Sequence, residues 1–467
     1  MIRRFLSILW RRPARIVALS FLLVALTGAG LLMLPAAQTG TEGLTFLDAF
    51  FTATSAVCVT GLIVVDTPTA FTLFGQIVIL LLIQIGGLGI MAFSLTAIFL
   101  TRKRLSIGES ELLSYMLNEE DRSSLRVQLL SILVFTIAIE TIGVALLLPR
   151  MFGEASGIEA VWLAVFHSVS AFCNAGFSLF SDSLVRFVDD PLVNFTVGGL
   201  IILGGLGFAT MTVLRDDFFA VIDHLRLRTT RERPLIFRAV PALGYPRSES
   251  SRIALKGTAI LVILGAIFFY LFESGNVMTQ FLLPGKYLAA LFQSVTLRTA
   301  GFNTVDITSL TRATLLITVP FMFIGAASGG TAGGIKIGTI AVVWSDIKRF
   351  VLGRRDAELM YRRIPRRTIS QAYVLVVTGI FLVFVSLVVL SATETAPVEV
   401  VLFEIVSALG TVGLSAGLTG ELTASGRALI IALMFLGRLG PLTLFVALQP
   451  HPGQGEIRYP DGNPPIG

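Results

Sequence analysis

Eight long apolar runs constrain this chain more than any other feature. They cover roughly residues 16–36, 73–100, 127–149, 193–214, 254–272, 314–343, 372–392 and 428–448. At about 1.5 Å per helical residue, each is long enough to cross a hydrocarbon core of ~30 Å. Composition agrees: 54% of the 467 residues are apolar and 14% are charged, against about a quarter charged in soluble domains. The run at 16–36 follows Arg3 and Arg4 and precedes Leu34-Pro35-Ala36-Ala37, which imitates a signal peptide. It exceeds the usual apolar core of about 7–15 residues, so it reads as the first span.

The net charge of +6 is less informative than its placement. Residues 1–15 carry five Arg and no acid, and residues 221–256 and 345–367 each carry eight Lys/Arg against three acids. Residues 101–126 open with Arg102-Lys103-Arg104, while the other short loops lean acidic, with Glu154, Asp189, Asp190, Glu273, Asp306, Glu394, Glu399 and Glu421. Loops alternate basic and acidic, which puts both termini of a multi-pass protein in the cytoplasm; the plasma (inner) membrane is its expected location. The basic loops flank apolar spans and lack interleaved aromatics, so they are topology determinants and not a nucleic-acid surface. Cys58 and Cys173 lie in apolar surroundings without metal-ligand spacing, and neither a disulfide nor a metal role is assigned to them.

Within this frame a diverged internal repeat is legible. Four segments, 55–62, 170–177, 295–302 and 407–414, end in a glycine followed by an apolar residue. Their glycines, Gly61, Gly176, Gly301 and Gly413, are 115, 125 and 112 residues apart. Each segment follows an apolar stretch (roughly 45–57, 160–172, 286–297 and 397–409) that rises only ~18 Å as a helix, too short to span and of re-entrant length. The predicted fold is therefore an all-α polytopic membrane protein: eight transmembrane helices as four helix–pore loop–helix repeats in a pseudo-fourfold ring. The repeats occupy 16–100, 127–220, 253–344 and 372–449. Cytoplasmic segments fall at 1–15, 101–126, 221–252, 345–371 and 450–467.

Non-helical backbone at membrane depth is tolerated only when buried in protein or lining water. Four loops converging on an axis satisfy both conditions, and their carbonyls can replace the hydration shell of a cation. The half-helix C-termini favour positive charge there, and glycine permits the torsions a carbonyl ladder needs. A loop or packing role would account for any one of these glycines; four in register point to an ion path. The predicted filter is Val59, Thr60, Gly61, Leu62; Asn174, Ala175, Gly176, Phe177; Thr299, Ala300, Gly301, Phe302; and Thr411, Val412, Gly413, Leu414.

These segments resemble the Trk/Ktr/HKT superfamily of potassium transporters, most closely the bacterial Ktr membrane subunit. The resemblance is carried by Phe51 to Thr67, Phe166-His167-Ser168 to Phe177, Arg298 to Asn303 and Gly325 to Lys336, and it runs from about residue 16 to 449. It implies a gated, channel-like potassium uptake pore rather than an enzyme, with potassium at the filter only and no covalently bound cofactor. Sodium is a second possible transported or activating ion. Gly61, where sodium-preferring relatives have serine, favours potassium. The resemblance also implies a homodimer in the lipid bilayer, on a cytoplasmic ring of nucleotide-binding regulatory subunits (KtrA-like) encoded separately.

The tract Gly325, Ala326, Ala327, Ser328, Gly329, Gly330, Thr331, Ala332, Gly333, Gly334 interrupts the sixth run. Each glycine costs a helix about 0.8–1.0 kcal/mol relative to alanine. An unwound segment at this depth must line a cavity, so the tract, ending near Lys336, is expected to cross the pore beneath the filter. A helix-packing motif of small residues is the alternative. Arg438 lies inside the run 428–448 and is expected to face the interior and meet carbonyls of the tract; snorkelling to the surface is the alternative. Arg298, beside the third filter, is expected to pair with Asp306, Glu273 or Glu404. His167 reads as a hydrogen-bonded structural residue, and Asn174 as placing its side chain behind the filter. Gly86-Gly87-Leu88-Gly89 and Gly204-Gly205-Leu206-Gly207 read as close helix contacts, since no strand precedes them as a phosphate loop requires. A sodium- or proton-coupled secondary transporter is the rival reading, with Glu140 as its main intramembrane acid. An intramembrane hydrolase lacks a nucleophile with a partner.

Overall fold

The protein is described here by a computed structural model covering residues 13–40, 43–89, 125–208, 210–211, 213–214 and 249–440. The predicted cytoplasmic segments 101–124, 221–248 and 450–467, most of 1–15, and Pro441 after Arg438 lie outside the described residues.

One pattern recurs along the chain: a first helix, a half-length helix, an extended turn, and a second helix. The first unit is α1 (Pro13–Leu32), α2 (Phe46–Val57) and α3 (Leu73–Leu88). The second is α4 (Leu125–Met151), α5 (Ile158–Phe172) and α6 (Pro191–Leu206). The third is α7 (Glu249–Glu273), α8 (Leu283–Thr296) and α9 (Arg312–Phe323), the last followed after a non-helical tract by α10 (Ile337–Val351). The fourth is α11 (Arg366–Thr393), α12 (Val398–Gly410) and α13 (Ala424–Leu439). Between α10 and α11 a small antiparallel hairpin pairs β1 (Glu358–Leu359) with β2 (Arg362–Arg363).

Polar caps start the second helix of every unit. Thr72, Thr311 and Thr423 accept from the backbone three residues on, and Asp190 accepts from Leu192 and Val193. Each cap satisfies donors that the first turn would leave orphaned. The half-length helices have 12, 15, 14 and 13 residues, and their second halves are almost wholly buried.

The outer surface is unlike that of a soluble protein. Among the described residues three helical stretches, Ser131–Met151, Glu249–Glu273 and Arg366–Thr393, are long and apolar enough to cross a membrane. On α7, Ile260, Ile263, Ile267 and Leu271 are exposed, as are Val377, Phe381, Phe384 and Val388 on α11. The buried set, mostly apolar, also includes Thr52, Thr54, Ser55, Ser168, Ser170, Thr296 and Ser407 of the half-length helices. Apolar side chains facing out and hydroxyls facing in suit a lipid solvent around a polar centre. The first and fourth units close on each other: Phe51, Cys58 and Leu62 share a cluster with Val401, Ile405 and Ile430.

Three runs read as continuous spans are interrupted. The helices α3, α6 and α13 stop at Gly89, Gly207 and Gly440, all with positive φ. One turn before each stop the helix packs closely on its half-length helix. A methyl group on Gly86, Gly204 or Gly437 would overlap the carbonyl oxygen of Val57, Phe172 or Leu409 respectively. Each of those carbonyls lies four residues before a predicted filter glycine. The second helices therefore approach the half-helix ends through glycine in three units, including Gly437, which the sequence did not single out. In the third unit the helix breaks at this level instead, after α9.

Candidate functional site: a closed ring of four glycine turns

After each half-length helix the chain turns sharply. The backbone N–H groups of Thr60, Ala175 and Val412 donate to carbonyls five residues back, those of Ser55, Ser170 and Ser407, at 2.8, 2.8 and 2.7 Å. The same serines brace the turns with their hydroxyls. Ser55 Oγ accepts from Gly61 N–H at 3.0 Å, and Ser407 Oγ accepts from Gly413 N–H at 3.1 Å. Ser170 and Ser407 donate to the carbonyls of Phe177 and Leu414. In the third unit Val295 occupies the serine position. There the brace comes from outside: Leu184 N–H donates to the Asn303 carbonyl at 3.0 Å, and Asn303 N–H to Ser183 Oγ at 3.3 Å.

The backbone of all four turns is unusual in the same way. Gly61, Gly176, Gly301 and Gly413 have φ of +97°, +70°, +80° and +90°. Two residues earlier, Val59, Asn174, Thr299 and Thr411 have φ of +55°, +60°, +68° and +51°. Left-handed torsions at a β-branched residue are genuine outliers, costing about 1–3 kcal/mol. The intervening Thr60, Ala175, Ala300 and Val412 are not left-handed. Alternation of hand at successive residues is a backbone pattern that can gather peptide groups of one kind on one side, as N–H groups gather in an anion nest. Residue type hides this feature, since valine and threonine avoid such torsions; only its fixed offset from the glycine reveals it.

The four turns close into a ring. A Cβ built on Gly61 would lie 2.5 Å from the carbonyl oxygen of Ala175 and 3.1 Å from Gly176 Cα. On Gly176 it would lie 2.7 Å from Gly301 Cα, and on Gly301 2.8 Å from the Val412 oxygen. On Gly413 it would overlap the Thr60 oxygen and lie 3.0 Å from Gly61 Cα. Each glycine thus meets the carbonyl preceding the next unit's glycine, and the fourth returns to the first. All sixteen predicted filter positions are in these turns; the side chains of Val59, Thr60, Asn174, Thr299 and Thr411 are buried. The hydroxyls of Thr60, Thr299 and Thr411 have no hydrogen-bond partner among the described residues.

The glycine tract lies against these turns. It is non-helical from Gly325 to Gly334, and its neck is closed by Gly325 N–H donating to Ile335 (2.9 Å) and Ile335 N–H to Phe323 (3.2 Å). Ala327 and Thr331 N–H donate to the carbonyls of Gly205 and Gly204, and Thr331 Oγ1 to that of Phe172 at 3.1 Å. A Cβ on Gly333 would sit 3.1 Å from the Gly410 oxygen and overlap the Thr411 hydroxyl. Arg438 donates to the carbonyls of Thr331 and Gly86, so its guanidinium is turned inward. Lys336 Nζ donates to the Ala332 carbonyl at 2.6 Å. The tract therefore reaches the ends of the second and fourth half-length helices, and through Arg438 the first unit.

The model of the TrkH family, cation transport proteins, matches residues 10–456. This chain belongs to that family. It is 39% identical over 452 residues to the Ktr system potassium uptake protein B of Bacillus subtilis, covering 96% of each chain. It is 39% identical to the protein of the same name from Vibrio alginolyticus, covering 96% of this chain and 93% of that one. It is 35% identical to the potassium/sodium uptake protein NtpJ of Enterococcus hirae, covering 96% and 95%. The crystal structure of the potassium transporter TrkH from Vibrio parahaemolyticus shares the fold, with a TM-score of 0.70 at 19% identity, over 94% of this chain and 84% of that one.

The remaining predicted residues of this TrkH-family chain are placed as follows. His167 is structural: Nδ1 lies 2.8 Å from the Leu163 carbonyl, Nε2 3.0 Å from Ser178 Oγ, and its ring stacks on Phe180. Asn174 turns its amide toward the carbonyls of Ala171 and Ile201, both 3.1 Å away, behind the turn. Outside the turn, Arg186 lies over the Phe180 ring and bonds Asp182 and Glu154, whose carboxylates, Asp182 first, hold its pKa above the ordinary range.

Arg298 departs from expectation. It is 4% exposed, yet none of the three proposed carboxylates reaches it, and its Nε and Nη2 have no partner among the described residues. The acids have other work. Glu273 accepts from Thr311, Thr314 and Asn276; Glu404 from Ser415, Ala416 and Thr419; Asp306 from Thr308 and Ser309. They brace loops after the turns and are engaged there.

Proposed function

We propose that this chain is the potassium-translocating membrane subunit of a Ktr/Trk-type uptake system. The observation that carries the reading is the closed order Gly61, Gly176, Gly301, Gly413, with a left-handed residue two places before each glycine. Carbonyls from four such turns can replace the water shell of a dehydrated cation. The four half-length helices aim their negative C-terminal ends at the same place. Inward movement draws on the membrane potential, worth about 2.3 kcal/mol per charge per 100 mV. Only the glycine is common to all four turns, so the ion sites are fewer than in a strictly symmetric channel.

In this reading the four units make eight spans around one pseudo-fourfold pore, with both termini in the cytoplasm. The tract 325–334 is the gate, held by Arg438 and Lys336. Two copies assemble on a cytoplasmic nucleotide-binding ring. The coupled-transporter alternative relied on Glu140, which is buried beside Gln84 and Cys173 behind the second turn. Rubidium-86 uptake in potassium-transport-deficient cells tests the proposal. The chain should restore uptake, and Gly61→Ser, whose Cβ would crowd the Ala175 carbonyl, should lower it while shifting the remaining preference toward sodium. Uptake abolished by proton or sodium uncoupling in voltage-clamped vesicles would favour the alternative.

A further inference from the structure

A cavity of about 290 Å³ opens at the α7, α10 and β-hairpin junction, away from the ring. Lys256, Lys348, Arg349 and Arg354 line it, together with Asp356 and Glu358. Most of these charges are committed. Arg349 bonds Asp346 at 2.7 Å, Asp356 pairs with Arg363 at 3.0 Å, and Glu358 lies 3.8 Å from Arg354. Lys256 and Lys348 have no ion-pair partner among the described residues, so their two charges dominate the cavity. Ser345 fixes its wall by donating to the Glu358 carbonyl at 2.7 Å.

Each lysine also ends an apolar stripe. On α7, Lys256 is followed at helical spacing by the exposed Ile260, Ile263 and Ile267. On α10, Lys348 stands beside Trp344, which is 67% exposed, and Val351, 73% exposed. The level is set by the fold. The α10 helix begins just after the tract that touches the half-helix ends, and its 15 residues descend ~22 Å from there. In the orientation proposed above, on which this inference rests, that direction leads Trp344 to Val351 toward the cytoplasmic interface, where tryptophan and basic residues are enriched.

We propose that this cavity binds an anionic phospholipid of the inner leaflet. The headgroup phosphate sits between Lys256 and Lys348, and the acyl chains lie along the Ile260–Ile267 stripe and against Trp344. Charge complementarity selects this occupant. A zwitterionic lipid would leave the two ammonium groups uncompensated, and attraction to anionic lipid is substantial for each lysine near the surface.

Brominated-lipid quenching of Trp344, in a Trp10→Phe/Trp162→Phe background, tests the proposal without relying on transport. Brominated phosphatidylglycerol should quench at a mole fraction on the order of tenfold below that needed with brominated phosphatidylcholine. The pair Lys256→Gln/Lys348→Gln, both on exposed positions, should abolish that difference while leaving quenching by phosphatidylcholine intact. Equal quenching by both lipids in the unsubstituted background, or a preference that survives the double substitution, overturns the proposal. A Trp344 that neither lipid quenches also overturns it, and assigns the face to a second copy or a protein partner.

Discussion

The guanidinium of Arg438 on α13 bonds the carbonyl of Thr331, 107 residues earlier in the glycine tract, and at the same time that of Gly86 on α3. One charge thus ties the fourth unit to the first and to the segment beneath the ring. Bonds to a charged group contribute about 1.5–3 kcal/mol each. Arg438→Ala should therefore free the tract and raise rubidium-86 uptake severalfold in cells expressing equal amounts of protein. A folded variant with unchanged uptake would remove the gating role.

Shortening the tract tests the same element independently. Deletion of 326–332 removes the hydrogen bonds from Ala327 and Thr331 to Gly205 and Gly204. It should raise steady uptake and reduce its dependence on Arg438, so that Arg438→Ala adds little in the deleted background. Lower uptake in a well-folded deletion would contradict this.

Gly413→Ala should abolish uptake. The new methyl would overlap the Thr60 carbonyl at φ +90°, where torsional strain alone costs about 1–3 kcal/mol. Gly338→Ala is the control, because a Cβ there meets nothing within 4 Å. Uptake by both variants, normalised to membrane abundance, decides the matter; near-normal transport by Gly413→Ala would mean the ring is wider than described.

Asp48 on α2 and Arg427 on α13 form a partly buried ion pair that joins the first and fourth units across 379 residues. Removing one member leaves the other charge partly buried without its partner, which costs more than removing both. Asp48→Asn should lower the melting temperature of the detergent-solubilised protein, and Asp48→Asn/Arg427→Met should recover much of the loss. Additive losses would show that the two residues act separately.

Much of this organisation was legible because it is periodic or compositional. The half-length helices are short apolar stretches, the four glycines recur at similar spacing, and five glycines in ten residues forbid a continuous helix at 325–334. What was not legible depends on long-range geometry. Val59, Thr299 and Thr411 hold left-handed torsions that their side chains disfavour, because the surrounding turn dictates them. Arg298 was expected to find Glu273, Glu404 or Asp306, but each acid is hydrogen-bonded by nearby threonines, serines or amides instead. The stops at Gly89, Gly207 and Gly440 fall inside runs long enough to be read as continuous spans, and the close approach of Gly86, Gly204 and Gly437 to the carbonyls of Val57, Phe172 and Leu409 becomes visible only in the fold. The Asp48–Arg427 pair requires the ring to close before its members meet.

Anomalous diffraction from crystals grown with thallium in place of potassium is the most direct test of the ring. The account predicts a thallium peak on the axis bounded by the carbonyls of Thr60, Ala175, Ala300 and Val412. A peak elsewhere with none on that axis, or a map showing any one of the four turns packed at the lipid-facing surface, would contradict it.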